Sequence, residues 1–201
     1  MANIITLARF PLIIIYLTVL YYGNSTGLLL NTPLIVLIFL LDIFDGWIAR
    51  KRGETSLLGS VLDIATDRTM EYVLWVVYAH LGLIPVVVPI IVIIRGTMVD
   101  AVRSIGMKSG VSAFDQIQSP INRFLVSSRF MRAWYGTVKT IAAGLLTLAY
   151  GLINLNSSWS VLVYRSGLII TWISVLTCVL RGIPVLIEGY KGISTEYLSA
   201  E

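Results

Sequence analysis

Charge is what this sequence has least of. Only 13% of its 201 residues are Asp, Glu, Lys or Arg, against roughly 25% in a soluble domain. With 57% hydrophobic residues and a mean hydropathy of +0.85, the chain reads as an integral membrane protein. Cysteine is nearly absent as well. The single Cys178 lies in an apolar run and has no partner for an internal disulfide, so it is expected to be a buried, inert thiol. The one histidine, His80, lies far from the acidic residues and is expected to pack or to sit at an interface rather than to ligate a metal. A net charge of +4, dispersed along the chain, does not fit nucleic acid and suits loops that touch anionic headgroups. Residues 1–6 lack the basic leader and small-residue cleavage site of a secretory signal, so the first apolar stretch is expected to be a retained helix. No internal repeat or low-complexity segment interrupts what is expected to be one domain, residues 1–201.

What is present is a series of long apolar runs. A helix that crosses a bilayer needs ~20 mostly apolar residues, and segments near 4–22, 28–50, 58–82, 84–107, 134–154 and 162–188 qualify. The predicted fold class is therefore an all-α integral membrane protein with six transmembrane helices. Pro85 is expected in a helix's first turn, while Pro33 and Pro89 fall inside helices and Pro184 near a helix end. Residues 108–133 form the one long connection. There Phe114, Ile117, Ile121, Phe124 and Leu125 recur at near-helical spacing among polar residues, which predicts an amphipathic helix on the membrane surface. Lys51 and Arg52 lie in the second loop and Lys108, Arg123, Arg129 and Arg132 in the fourth, whereas the odd-numbered loops carry no cation before Arg165. The positive-inside rule then places both termini in the cytoplasm. Tyr21, Tyr22, Trp134, Tyr135, Trp159 and Tyr164 cluster at segment ends, where an interfacial aromatic belt would place them.

Against this background four aspartates stand out, Asp42, Asp45, Asp63 and Asp67. A carboxylate at the bilayer centre costs ~3 kcal/mol on insertion scales, which makes intramembrane acids functional candidates. Four together repel one another, and hard divalent cations with oxygen ligands are the simplest way to hold them. On helices, Asp42, Asp45, Gly46, Ala49 and Gly53 share one face, and Gly59, Asp63 and Asp67 share another. Small residues on the same faces admit close approach of a helix or a ligand. The plainer reading, helix packing with the acids salt-bridged to Arg50 and Arg68, does not account for four costly carboxylates. All the notable charges fall at the cytoplasmic ends of the predicted helices. That one-sidedness suits a site open to the cytoplasm and argues against a cation transporter, which would place acids near mid-membrane with some internal symmetry.

These residues match, position for position, the motif Asp-x2-Asp-Gly-x2-Ala-Arg-x8-Gly-x3-Asp-x3-Asp, and the chain thereby resembles the CDP-alcohol phosphotransferase (CDP-alcohol phosphatidyltransferase) family. The resemblance implies a six-helix membrane enzyme that transfers a substituted phosphate from a CDP-linked donor to an alcohol and releases CMP. It implies that Asp42, Asp45 and Asp63 ligate two Mg²⁺ or Mn²⁺ ions, with Asp67 bridging metal and acting as general base. Gly46 and Ala49 would leave room for the cytidine, and Thr6, Arg50 and Gly59 would support the nucleotide. Asn3-Ile-Ile-Thr6-Leu-Ala-Arg9, Arg95 with Arg103, and Gly136-Thr-Val-Lys139 are similar to stretches of phosphatidylglycerophosphate synthases. That similarity implies CDP-diacylglycerol as donor, glycerol 3-phosphate as acceptor, and Arg95, Arg103 and Lys139 on the acceptor phosphate. It also admits a homodimer. The chain departs from the subfamily pattern at Arg68, Gly96 and Thr137, which keeps inositol phosphate, or an archaeal ether-lipid reaction, as the alternative. Arg123, Arg129 and Arg132 are read as facing the lipid surface, with a place in the acceptor site as the alternative.

Overall fold

The computed structural model describes residues 2–52, 57–108 and 120–198, and the side chains of 6–41, 59, 61–104 and 122–189. All regular structure in them is helical: α1 (Ala2–Tyr22), α2 (Ser25–Arg52), α3 (Leu57–His80), α4 (Val87–Lys108), α5 (Pro120–Ser127), α6 (Arg129–Asn154) and α7 (Ser160–Leu198). Six of these exceed 20 residues, and the eight-residue α5 falls within the connection where an amphipathic helix was expected. Phe114 and Ile117 lie outside the described residues.

Local chemistry sets the helix ends. Asn24 Oδ1 accepts the Gly27 N–H at 2.8 Å and caps α2 three residues earlier than the apolar run suggests. α3 closes on Gly82, whose φ of +72° lets Gly82 N–H reach Ala79 O and Leu83 N–H reach Tyr78 O, the paired bonds of a Schellman turn. Asn156, at φ +51°, ends α6 with the same pair of bonds, to Ile153 O and Leu152 O. Pro85 stays outside α4, in the turn after Gly82, and Pro89 occupies the first turn instead. Pro11, Pro33 and Pro184 lie inside α1, α2 and α7, as membrane helices tolerate.

The chain folds as two compact units. One comprises Met1–Val86 and Lys139–Thr171, the other Val87–Val138 and Trp172–Glu201. In the first, α1, α3 and α6 meet at a buried hydroxyl triangle. Tyr16 Oη lies 2.7 Å from Thr147 Oγ1 and 2.9 Å from Tyr78 Oη, and Tyr78 Oη also donates to Ala143 O. Asn31 Nδ2 donates to Tyr16 O at 2.9 Å and ties α2 to α1. Gly151 of α6 allows close approach of α2, because a Cβ there would come within 3.1 Å of Leu29 Cδ2. In the second unit, Val99, Val126 and Val185 form a small core with Val102 and Leu186.

The exterior is unusually apolar. Ile14, Leu30, Ile94, Ile169 and Leu176 are exposed, while Thr66, Thr147, Thr171, Ser174 and Cys178 are buried. Exposed apolar surface on this scale needs a covering phase, and α6 together with Ser160–Gly189 of α7 is long and apolar enough to cross a membrane. Tyr22, Trp134 and Trp159 are exposed as a belt requires, but Tyr135 is buried. Its ring lies under Arg181, 5.6 Å from the guanidinium carbon, so it serves packing within the second unit.

Candidate active site

The regular spacing of acids on α3 turns Asp63 and Asp67 to one side of that helix, and α1 brings a cation to them. Arg9 Nη1 donates to Asp67 Oδ1 at 3.0 Å, and Arg9 Nη2 lies 3.6 Å from Asp63 Oδ1. The arginine side chain is 2% exposed, whereas Asp63 and Asp67 are 46% and 42% exposed. A buried guanidinium thus holds two carboxylates that remain open to the surroundings. It stands between the two acids and offers a donor to each side. Thr6, one turn before Arg9, is also buried. Gly59 lies one turn before Asp63 on α3. Asp42, Asp45, Gly46, Ala49 and Arg50 all lie on α2, and its helical backbone puts the first four on one face. Their side chains lie outside the described residues.

One turn further along α3 a second cluster appears. Glu71 is buried, with Arg68 Nη1 3.3 Å from its Oε2 and Lys139 Nζ 3.7 Å from its Oε1. Lys139 also lies over the Phe39 ring, 5.3 Å from its centroid. Lys139, expected on an acceptor phosphate, is therefore held by a carboxylate that the spacing argument had not extended to reach. Residues 63, 67 and 71 continue the same interval of four, and that interval was the available signal. His80 is exposed at the end of α3, its ring 5.9 Å from that of Tyr21, which agrees with an interfacial role.

The second unit holds Arg95 and Arg103 on α4. Arg95 lies across Gly182 of α7, so that a Cβ there would stand 2.6 Å from Nε and 2.8 Å from Cγ. Its Nε is buried without a hydrogen-bond partner among the described residues. Arg181 joins them: its Nε donates to Leu125 O at 3.2 Å, and it feels the like charges of Arg95 and Arg103. A lone cation in an apolar run carries no spacing signal, which is why Arg181 was not among the expected site residues.

Carboxylate oxygens on one helix face, nearly half exposed, suit a hard divalent cation. Among the described residues alone, no three acidic, His or Cys side chains gather as a metal site, and the side chains of Asp42 and Asp45 lie outside them. Comparison with known families decides the wider question, for the model of the CDP-alcohol phosphatidyltransferase family matches residues 1–180. The chain belongs to that family. The match runs through both units. Among curated relatives, the chain is 22% identical over 182 residues to the CDP-diacylglycerol–glycerol-3-phosphate 3-phosphatidyltransferase of Rickettsia typhi, covering 90% of this chain and 91% of that one. It is 27% identical over 153 residues to the protein of the same name from Wigglesworthia glossinidia brevipalpis, covering 72% and 82%. It is 27% identical over 114 residues to a probable phosphatidylglycerophosphate synthase of Mycobacterium tuberculosis, covering 55% and 54%. The chain is thus similar to enzymes named for phosphatidyl transfer along most of its length.

Proposed function

We propose that this enzyme transfers the phosphatidyl group of CDP-diacylglycerol to glycerol 3-phosphate, giving phosphatidylglycerophosphate and CMP. The observation that carries the reading is the convergence of Asp63 and Asp67 on Arg9, within a chain whose family and named relatives perform this class of transfer. The acceptor hydroxyl attacks the lipid-bearing phosphorus, the bond from that phosphorus to the bridging oxygen breaks, and CMP departs with that oxygen.

Phosphoryl-type transfer is mostly a matter of positioning and charge neutralisation. Asp42, Asp45, Asp63 and Asp67 are the residues that would hold two Mg²⁺ or Mn²⁺ ions. Such a pair, when bound, neutralises the charge of the attacking and leaving oxygens. Asp67 takes the proton of the acceptor hydroxyl, a role that its half-exposed carboxylate allows. Arg9 keeps Asp67 oriented through the 3.0 Å bond from its Nη1 to Asp67 Oδ1. Thr6, Gly46, Ala49, Arg50 and Gly59 bind the nucleotide. Arg95, Arg103 and Lys139 bind the acceptor phosphate, to which guanidinium groups offer paired donors. Lys139 exchanges part of its contact with Glu71 for that phosphate. The six long helices support a six-span arrangement in the cytoplasmic membrane, with α5 on the surface, both termini cytoplasmic and the acids facing the cytoplasm; we further propose that the chain works as one domain and forms a homodimer.

The test is purified protein with labelled CDP-diacylglycerol and a panel of alcohols, read as CMP release. Release with glycerol 3-phosphate supports the reading. Release with inositol phosphate instead would replace the acceptor and leave the chemistry in place, while release only with serine or free inositol would also remove the role given to the cations.

A further inference from the structure

The junction of α5 and α6 carries a constellation that phosphatidyl transfer leaves unused. Phe124, Phe130 and Trp134 are 53%, 63% and 44% exposed, yet their rings form a ladder. Successive centroids stand 6.5 Å apart with interplanar angles of 22° and 19°. Around the ladder Arg123, Arg129 and Arg132 are exposed and make no ion pair among the described residues. Beside it lies an open hollow lined by Arg123, Phe124, Ser127 and Ser128. Ser127 Oγ is shielded from solvent and has no hydrogen-bond partner among the described residues. Ser128 Oγ accepts the Met131 N–H at 3.0 Å, capping α6, and keeps its own O–H to donate. The hollow therefore offers a guanidinium, two hydroxyls and the positive end of a 26-residue helix.

Each of these favours an anion, and a phosphate accepts from all of them. The rings select what the phosphate is attached to. Stacked, exposed aromatics flanked by arginines are stable where an apolar phase meets a charged one. The chain here runs directly into α6, a helix long and apolar enough to cross a membrane. We propose that this hollow and its ring ladder bind the phosphate headgroup of an anionic phospholipid of the surrounding membrane. Arg123, Ser127 and Ser128 hold the phosphate, and Phe124, Phe130 and Trp134 lie along the start of the acyl chains. The bound lipid supplies an acceptor to Ser127 and a counter-charge to Arg123, neither of which the described residues provide.

The experiment is a binding titration in neutral detergent, using the full chain and the variants Arg123→Gln and Ser127→Ala. Phosphatidylglycerol, phosphatidylcholine and inorganic phosphate are the probes, each with and without saturating CMP, and the unfolding midpoint reports binding. Wild type should bind phosphatidylglycerol saturably, about 10-fold or more tightly than phosphatidylcholine, whether or not CMP is present. Arg123→Gln should weaken that binding roughly 10-fold or more, as loss of a charge-assisted hydrogen bond does. Ser127→Ala removes a hydroxyl without a partner, so its midpoint without lipid should equal that of wild type, and only its lipid affinity should fall. Both variants should release CMP at the wild-type rate in neutral detergent, which separates this site from catalysis. Wild-type affinity in both variants would overturn the proposal, as would equal binding of phosphatidylcholine. Inorganic phosphate binding as tightly as the lipid would reassign the hollow to soluble phosphates. Displacement of the lipid by CMP would assign it to the catalytic site.

Discussion

Replacing Arg9 by Gln should make the protein less stable without metal and more responsive to it. Arg9 is almost wholly buried, bonded to Asp67 at 3.0 Å and paired with Asp63 at 3.6 Å. Losing a hydrogen bond to a charged group costs about 1.5–3 kcal/mol. Stranding a fully buried partner costs more, ~3–5 kcal/mol, but Asp63 and Asp67 are nearly half exposed and solvent takes up most of that penalty. The lower range therefore applies. For a chain of this size it corresponds to a fall in unfolding midpoint of roughly 3–12 °C, measured in detergent with EDTA. The two carboxylates, one helical turn apart on α3, then face each other without their shared cation. Added Mg²⁺ should recover more stability in the variant than in wild type, because no arginine charge opposes its binding. Calorimetry or thermofluor scans in EDTA and in Mg²⁺ provide the four midpoints needed. An unchanged midpoint in EDTA would show that the ion pair carries no weight. A Mg²⁺ increment no larger than that of wild type would refute the assignment of these carboxylates to a cation site.

Other positions test the remaining parts of the site. Asp67→Asn should lower turnover by about 10² or more, the scale of lost general-base help, while the Michaelis constant for CDP-diacylglycerol changes less than in Asp42→Asn; steady-state kinetics separates the two. Glu71→Ala leaves Lys139 and Arg68 without the carboxylate that lies 3.7 and 3.3 Å from them. Breaking a buried pair in this way should cost ~3 kcal/mol or more, visible as a lower midpoint that Glu71→Asp partly restores. Gly182→Ala forces Arg95 aside, since the new Cβ would stand 2.6 Å from Nε. Because the obstruction is a flexible side chain, folding should survive while the Michaelis constant for the acceptor rises several-fold, and an unchanged constant would detach Arg95 from acceptor binding.

Helices were the most legible feature of the sequence, because bilayer thickness fixes how long an apolar run must be. Their ends were less so, being set by local chemistry. Asn24 starts α2 early through one side-chain bond, and α7 runs past its apolar stretch to Leu198, since helical geometry does not itself require apolar residues. The acids of α3 were legible from their interval of four, and that interval continues to Glu71. Arg9 was visible only as part of a motif, for its partners lie 54 and 58 positions away and such a pairing exists only once α1 and α3 pack. Tyr135 illustrates the opposite error. Its place at a segment end suggests the membrane interface, yet Arg181 draws its ring into the second unit.

The most direct measurement is CMP release by the purified chain from CDP-diacylglycerol and glycerol 3-phosphate, in Mg²⁺ and after EDTA, for wild type and Asp63→Asn. Release by wild type that needs both glycerol 3-phosphate and the divalent cation, with little from the variant, is the predicted result. Full release in EDTA, or an Asp63→Asn enzyme as active as wild type, would contradict it.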